Sequence, residues 1–347
     1  MMKSTVFVKP GKVEVQDIAM PTVEKPDDVI LKVIRTCVCG SDLWGYRGLD
    51  NVPDNSENDG HEALGIVTAT GSAITTVKPG DFVIAPFTHG CGHCAACRAG
   101  FDGVCQSHSD NFSSGVQAEY IRFQHGEWAL VKVPGQPEDY TEAMLDSLLT
   151  LADVMATGYH AARVANVHEG STVAVIGDGA VGLCAVIAAQ MRGAKRIIAM
   201  SRHEDRQKLA VEFGATDIVS ERGDEAIAKV KELTNGSGVD AVLECVGSEQ
   251  SNAEAMQLGR PGAIIGRVGL PHEPKMDMTP SFYTNTIIAG GPASVTTYDK
   301  DMLLKAVLEG DIHPGRVFTQ TFSLDEIDQA YQAMDQRKAI KSLIIPD

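Results

Sequence analysis

The chain has 347 residues, 44% hydrophobic and 22% charged, proportions that suit a folded globular protein of two domains and exclude a disordered or fibrous chain. Thirty Lys and Arg against 46 Asp and Glu leave a net charge of −16, which repels phosphate backbones and anionic lipid, and no local basic patch offsets it. No apolar run approaches the ~18 residues of a membrane helix, and the opening MMKSTVFVKPGKVEV carries no secretory pattern, so the reading is a cytoplasmic chain with neither nucleic acid nor membrane as partner. Five of the eight cysteines sit in metal-type spacings, so they are read as reduced thiolates and not as bridges.

Residues 1 to about 135 read as β-structure. Residues 5–8 and 13–15 flank the turn Lys9-Pro10-Gly11-Lys12, and further strands are expected at 29–35, 63–70, 81–85 and 118–122. Short strands with little helix between them indicate a barrel or sandwich. Near residue 140 the pattern changes: 141–164 lacks alternation and reads as one helix. Strands then alternate with helices: strand 171–176, helix from 180, strand 196–200, helix 204–213, strand 217–219, helix 224–233, and buried strands at 240–244 and 263–267. That rhythm indicates a parallel sheet with helices on both faces. A helix over 299–308, a capping box from Ser323 to Glu326 and a strand over 341–345 close the chain.

Ser171-Thr-Val-Ala-Val-Ile-Gly177-Asp-Gly179-Ala180-Val181-Gly182 is a strand running through G-x-G-x-x-G into a helix. The first glycine permits the tight turn, the second lets the backbone approach a pyrophosphate, and the third allows close helix–sheet packing. The helix N-terminus adds free N–H groups. This context points to a dinucleotide. An NAD site places Asp or Glu about 20 residues on, at the end of the second strand, to hold the ribose 2′-OH. Here that slot is Ser201, followed by Arg202, a pair suited to a 2′-phosphate and hence to NADP(H). Ser201 with Glu204 also matches a capping box, and both uses are compatible.

Cys91, Cys94, Cys97 and Cys105 form C-x2-C-x2-C-x7-C. Four thiolates so close together can complete a tetrahedral zinc shell with no open position, the mark of a structural site. Disulfides and an iron–sulfur cluster are the alternatives; His93 reads as an exposed residue of the loop. Cys39-Gly-Ser41-Asp42, Gly60-His61-Glu62 and Asp153, followed by Thr157, are a dispersed set that spacing alone does not join.

Thr36-Cys-Val-Cys-Gly-Ser-Asp, Gly60-His-Glu, Val77-Lys-Pro-Gly-Asp81, the four-cysteine loop, the glycine fingerprint and the ending Arg337-Lys-Ala-Ile-Lys-Ser-Leu-Ile-Ile-Pro occur in this order. Together they resemble the zinc-containing medium-chain dehydrogenase/reductase family, the alcohol dehydrogenases and their relatives, over essentially the whole chain. The resemblance implies an α/β protein: a GroES-like β-barrel catalytic domain over 1–156, a Rossmann doubly wound parallel sheet binding NADP over 157–296, and a return to the catalytic domain over 297–347. It implies that Cys39, His61 and Asp153 bind a catalytic zinc, with Glu62 an outer or transient ligand and Asp42 holding the far nitrogen of His61. Ser41 would touch the substrate oxygen and start a proton relay, Thr157 would line the nicotinamide, and Lys341 would reach the cofactor phosphates. Bacterial relatives are usually tetramers.

Three positions depart from the family pattern. Trp44 fills the slot where a histidine often carries protons to solvent, and an indole cannot do so. Asp153 replaces the cysteine of many alcohol dehydrogenases and the glutamate of polyol dehydrogenases, a choice most similar to bacterial secondary-alcohol enzymes. Glu221 stands where NADP-using relatives pack an aromatic near the adenosine. The expectation is a zinc-dependent alcohol dehydrogenase or carbonyl reductase acting on a small alcohol, aldehyde or ketone with NADP(H). Its rivals are an NAD-dependent polyol or threonine dehydrogenase and a non-catalytic NADPH-binding protein.

Overall fold

The strand Val29–Val38 is apolar at most positions and buried except at Lys32 and Ile34, because other strands cover it on both sides. Ala63–Thr70 and Tyr120–Phe123 pair with it antiparallel, as does Lys341–Ile345 from the far end of the chain. In this computed structural model, which describes residues 1–271 and 277–346, a seven-stranded sheet results. Its main path runs Phe318–Ser323, Lys341–Ile345, Val29–Val38, Ala63–Thr70, Phe82–Ala85, Val131–Lys132. A smaller sheet is built on the hairpin Met2–Lys9 and Lys12–Ile18, with Gly11 at φ +79° in the expected turn. The core between these strands is aliphatic: Val29, Leu31, Val33, Val67, Val83 and Ile121 are all buried.

The second unit, Thr157–Pro292, is a six-stranded parallel sheet in the order Asp217–Val219, Arg196–Met200, Thr172–Ile176, Val239–Glu244, Gly259–Arg267, Ile287–Gly290. Helices Ala180–Met191, Glu204–Glu212, Asp224–Leu233 and Glu249–Leu258 alternate with its strands. Thr172–Ile176 lies in the middle, with Arg196–Met200 on one side and Val239–Glu244 on the other, so the strand order reverses at its C-terminal end. Open α/β sheets bind ligands at such a point.

The structure adds the strands Val131–Lys132, Ile287–Gly290 and Phe318–Ser323 and the helix Glu249–Leu258 to the expected elements, and it departs from the expectations at three other places. The region 141–164 is two helices, Glu142–Thr150 and Val154–Val164, and the turn between them carries Asp153. The stretch 299–308 opens as a π-helix over Asp299–Leu303 before its α-helical turn. The chain rejoins the first unit at Ala293 and not at 297. Two hydrogen bonds account for this: Thr88 Oγ1 donates to the Ala293 carbonyl (3.0 Å), and Thr296 Oγ1 donates to the Ala129 carbonyl (3.1 Å). Among the described residues no helix is long and apolar enough to cross a membrane.

Candidate active site and metal centres

Three segments far apart in sequence bring one donor set together inside the first unit. Cys39 follows the central strand, His61 and Glu62 precede Ala63–Thr70, and Asp153 sits in the turn between the two helices. One ligand atom from each lies within 4.8 Å of the others. Cys39 Sγ is 3.5 Å from Asp153 Oδ2, and His61 Nε2 is 3.6 Å from the same oxygen and 4.0 Å from Glu62 Oε1. Zinc bonds of 2.0–2.3 Å in a tetrahedron separate their ligand atoms by roughly 3.3–3.8 Å, so this spacing fits one ion. Charge argues the same way. Burial opposes a cationic His61, yet Asp42, Cys39 and Asp153 outweigh it and hold its pKa well above the ordinary value: the pocket is short of positive charge.

The supports of this set are equally specific. His61 Nδ1 lies 2.8 Å from the Asp59 carbonyl and 3.4 Å from Asp42 Oδ1, which holds the ring with Nε2 facing the donor set. Asp42 Oδ2 accepts from the Cys39 backbone N–H (2.9 Å) and from Gln117 Nε2 (3.1 Å). Gln117 also accepts from the Tyr331 hydroxyl (2.9 Å), and a Cβ at Gly60 would run into its side chain. Ser41 is half-buried beside Asp42, at the start of the short helix Asp42–Tyr46.

Lys341 lies beside the donor set. Its side chain is 1% exposed, Nζ lies 2.6 Å from Glu62 Oε1, and it donates to the Val38 carbonyl (3.3 Å). The strand Lys341–Ile345 pairs with Val29–Val38, which brings the ammonium to Glu62 of the donor set. Cys37, on the same strand, is buried, and burial pushes its thiol up.

The four-cysteine loop closes on itself. Cys94 Sγ is 3.5 Å from Cys97 Sγ and 3.9 Å from Cys105 Sγ, and Cys91 Sγ is 3.9 Å from Cys97 Sγ. A tetrahedral shell with Zn–S bonds near 2.3 Å needs sulfurs about 3.8 Å apart, whereas a disulfide needs about 2.05 Å. A multi-iron cluster would hold its cysteines further apart. Backbone N–H groups of Cys97 and Gln106 point at Cys94 Sγ and lower its pKa to about 6. His93 is exposed, its Nδ1 turned to the Cys91 carbonyl.

In the second unit the glycine fingerprint has the backbone its residues predict. Gly177 has φ +112°, a conformation that penalises side chains. A Cβ at Gly182 would collide with the Gly177 carbonyl, while one at Gly179 would meet nothing within 4 Å. The loop therefore packs tightly at its third glycine and leaves open space at its second, before the helix Ala180–Met191. That cradle fits a pyrophosphate. Thr157 is buried in helix Val154–Val164.

Ser201 and Arg202 behave differently from one another. Ser201 is fully buried and donates to Asp178 Oδ2 (2.8 Å); it does not cap the next helix, whose N-cap is His203. Arg202 is exposed. A second guanidinium, absent from the sequence reading, joins the group: Arg206 Nη1 lies 3.2 Å from Asp178 Oδ1 and 3.2 Å from the Asp178 carbonyl. Asp178, an unspecified position of the fingerprint, thus holds both a serine and an arginine near the ribose slot.

The alcohol dehydrogenase GroES-like domain family matches residues 25–135, and the zinc-binding dehydrogenase family matches residues 180–301. The chain is 31% identical over 375 residues to an uncharacterized zinc-type alcohol dehydrogenase-like protein, AdhB, of Bacillus subtilis, covering 97% of both chains. It is 29% identical over 337 residues to an NADP-dependent isopropanol dehydrogenase of Clostridium beijerinckii, covering 92% of this chain and 93% of the relative. Among solved structures, zinc dependent alcohol dehydrogenase 2 from Streptococcus pneumonia superposes with a TM-score of 0.89 at 30% identity, over 100% of this chain and 99% of that one. The chain belongs to the zinc-containing medium-chain dehydrogenase/reductase family. It is an oxidoreductase of the zinc-dependent alcohol dehydrogenase type.

Proposed function

We propose that this protein is an alcohol dehydrogenase or carbonyl reductase that prefers NADP(H). The observation that carries the reading is the meeting of Cys39, His61 and Asp153, with Glu62, in one charge-deficient pocket. Cys39, His61 and Asp153 would hold zinc as three protein ligands, the number typical of a catalytic and not a structural site. Bound zinc supplies Lewis acidity that favours ionisation of an alcohol or polarises a carbonyl. The chain's own groups do the rest. Asp42 and the Asp59 carbonyl hold the His61 ring in register, and Cys39 and Asp153 balance the metal's charge. Ser41 takes and returns the substrate proton; Trp44 cannot pass it on, so the relay ends at Ser41, the cofactor ribose or water. Cys91, Cys94, Cys97 and Cys105 hold a second, structural zinc. Gly177, Gly179, Ala180, Val181 and Gly182 receive the pyrophosphate, and Thr157 packs on the nicotinamide.

NADP(H) is favoured by the missing acid at residue 201, by Arg202 and Arg206, and by likeness to the NADP-dependent clostridial relative. One observation favours NAD, the cofactor of the polyol and threonine dehydrogenase reading: Asp178 already occupies Ser201 and Arg206. A cytoplasmic homotetramer completes the proposal. Four copies rest on the family resemblance, and the edge strand Ile287–Gly290, with Phe282 80% and Tyr283 77% exposed on the preceding helix, offers a surface for association between copies. The deciding experiment is initial rates with NADPH and NADH on a panel of aldehydes, ketones and their alcohols, before and after zinc chelation. Chelator-sensitive turnover preferring NADPH is expected. Turnover indifferent to chelation overturns the zinc assignment, and preference for NADH overturns the cofactor assignment.

A further inference from the structure

A third donor cluster lies in the first unit, apart from both metal centres described above. His125 follows the strand Tyr120–Phe123 in a left-handed backbone conformation (φ +53°), Asp27 precedes Val29–Val38, and His108 and Asp110 lie on the irregular segment after Cys105. His125 Nδ1 is 2.6 Å from Asp27 Oδ2, so the neutral ring donates there and carries its lone pair on Nε2. That lone pair faces the Asp110 carboxylate, whose Oδ2 is 3.2 Å away. Either a proton or a cation must lie between this nitrogen and the carboxylate oxygen. His108 Nδ1 lies 3.7 Å from Asp110 Oδ1. Both nitrogens of His108, and His125 Nε2, are buried without a hydrogen-bond partner. One ligand atom each from His108, Asp110 and His125 falls within 4.8 Å of the others.

We propose that His108, Asp110 and His125 form a third divalent-cation site, taking a borderline ion such as zinc, with Asp27 orienting His125. Two imidazoles and a carboxylate suit zinc, whereas calcium and magnesium call for all-oxygen shells. A carboxylate on the far nitrogen of a histidine is the usual support of a metal ligand. A proton on His125 Nε2 would satisfy one contact and leave His108 with none; an ion engages both rings. Lys25 Nζ, 3.9 Å from Asp110 Oδ2, offsets some charge but offers no lone pair. The two rings stack in parallel, with centroids 3.8 Å apart. An ion binds in the plane of an imidazole, so occupancy turns His108 out of that stack. The consequence is a clasp: the segment directly after Cys105 becomes tied to the barrel at His125.

The test counts metal. The full chain, equilibrated with zinc and passed through a desalting column, is expected to hold three zinc ions, and His108→Ala and His125→Ala two each, with circular dichroism unchanged. Because the count is a difference between variants, a failure of the catalytic-zinc reading lowers every sample alike and is separable. As a second measurement, cobalt(II) is exchanged into zinc-loaded wild type. Visible d–d absorption without thiolate charge transfer, lost in His125→Ala, supports the site even if His108→Ala fails to fold. Equal zinc in wild type and variants, or no thiolate-free cobalt signal in wild type, overturns it.

Discussion

Lys341 and Glu62, 279 residues apart in sequence, form an ion pair 2.6 Å long with both side chains 1% exposed. Taking one partner away strands a buried charge, which typically costs about 3–5 kcal/mol, more than the pair itself contributes. Lys341→Met is therefore expected to lower unfolding free energy by about that amount, and Lys341→Met with Glu62→Gln to recover most of it. Urea denaturation of the two single variants and the double variant gives the coupling. A single-variant loss below about 1 kcal/mol, the range of exposed pairs, would show that the two groups are not both charged.

His61→Ala removes the only imidazole of the donor set formed with Cys39, Glu62 and Asp153. Turnover is expected to vanish while NADPH binding, followed by fluorescence, persists. Asp42→Asn should act more mildly. Losing an outer partner usually costs 10–100-fold in metal affinity, but the Asp59 carbonyl is closer to His61 Nδ1 than Asp42 is, so the low end of that range, about 10-fold, is expected. Competition against a chelator measures it.

Asp178 accepts from Ser201 and Arg206, so on the proposed NADP(H) reading it would compete with a 2′-phosphate for both. Charge-assisted bonds of this kind contribute about 1.5–3 kcal/mol each. Asp178→Asn weakens both, so the Kd for NADPH is expected to fall about tenfold relative to that for NADH, and Arg206→Ala to shift the ratio the other way. An unchanged ratio in both variants would leave Arg202 as the discriminating group.

What was legible in the sequence depended on how local the determinants are. The glycine fingerprint and the four cysteines each act within a dozen or so residues, and their spacing alone carries the chemistry. Asp153 is different: residues 141–164 contain no proline and only one glycine, so nothing marks the break at 151–153 that turns this carboxylate towards Cys39. Gln117 acts on a partner 75 residues away and stands in no pattern of its own, and the ending that contains Lys341 gives no sign of its partner 279 residues away. Asp178 was visible but silent, because the fingerprint constrains only its glycines; serine in place of the expected acid, 23 residues on, was the available signal. The capping-box reading of Ser201 failed for the same reason, since the hydroxyl found a stronger acceptor across the loop.

His160, in the helix Val154–Val164, provides a test of the fold through pH. Burial, with a smaller contribution from Arg163, lowers its pKa to about 4. The unfolded chain, with a histidine near 6.5, binds a proton over the range from 6.5 down to 4 that the folded chain refuses. Stability is therefore complete above pH 6.5 and is lost as pH falls below it, by about 2 kcal/mol at pH 5 from this one group. Denaturation of wild type and His160→Leu at pH 7 and pH 5 isolates the effect. The variant's loss between the two pH values should be smaller by about 2 kcal/mol, whatever its stability at pH 7. Equal losses in the two proteins would mean that His160 takes up its proton in the folded state.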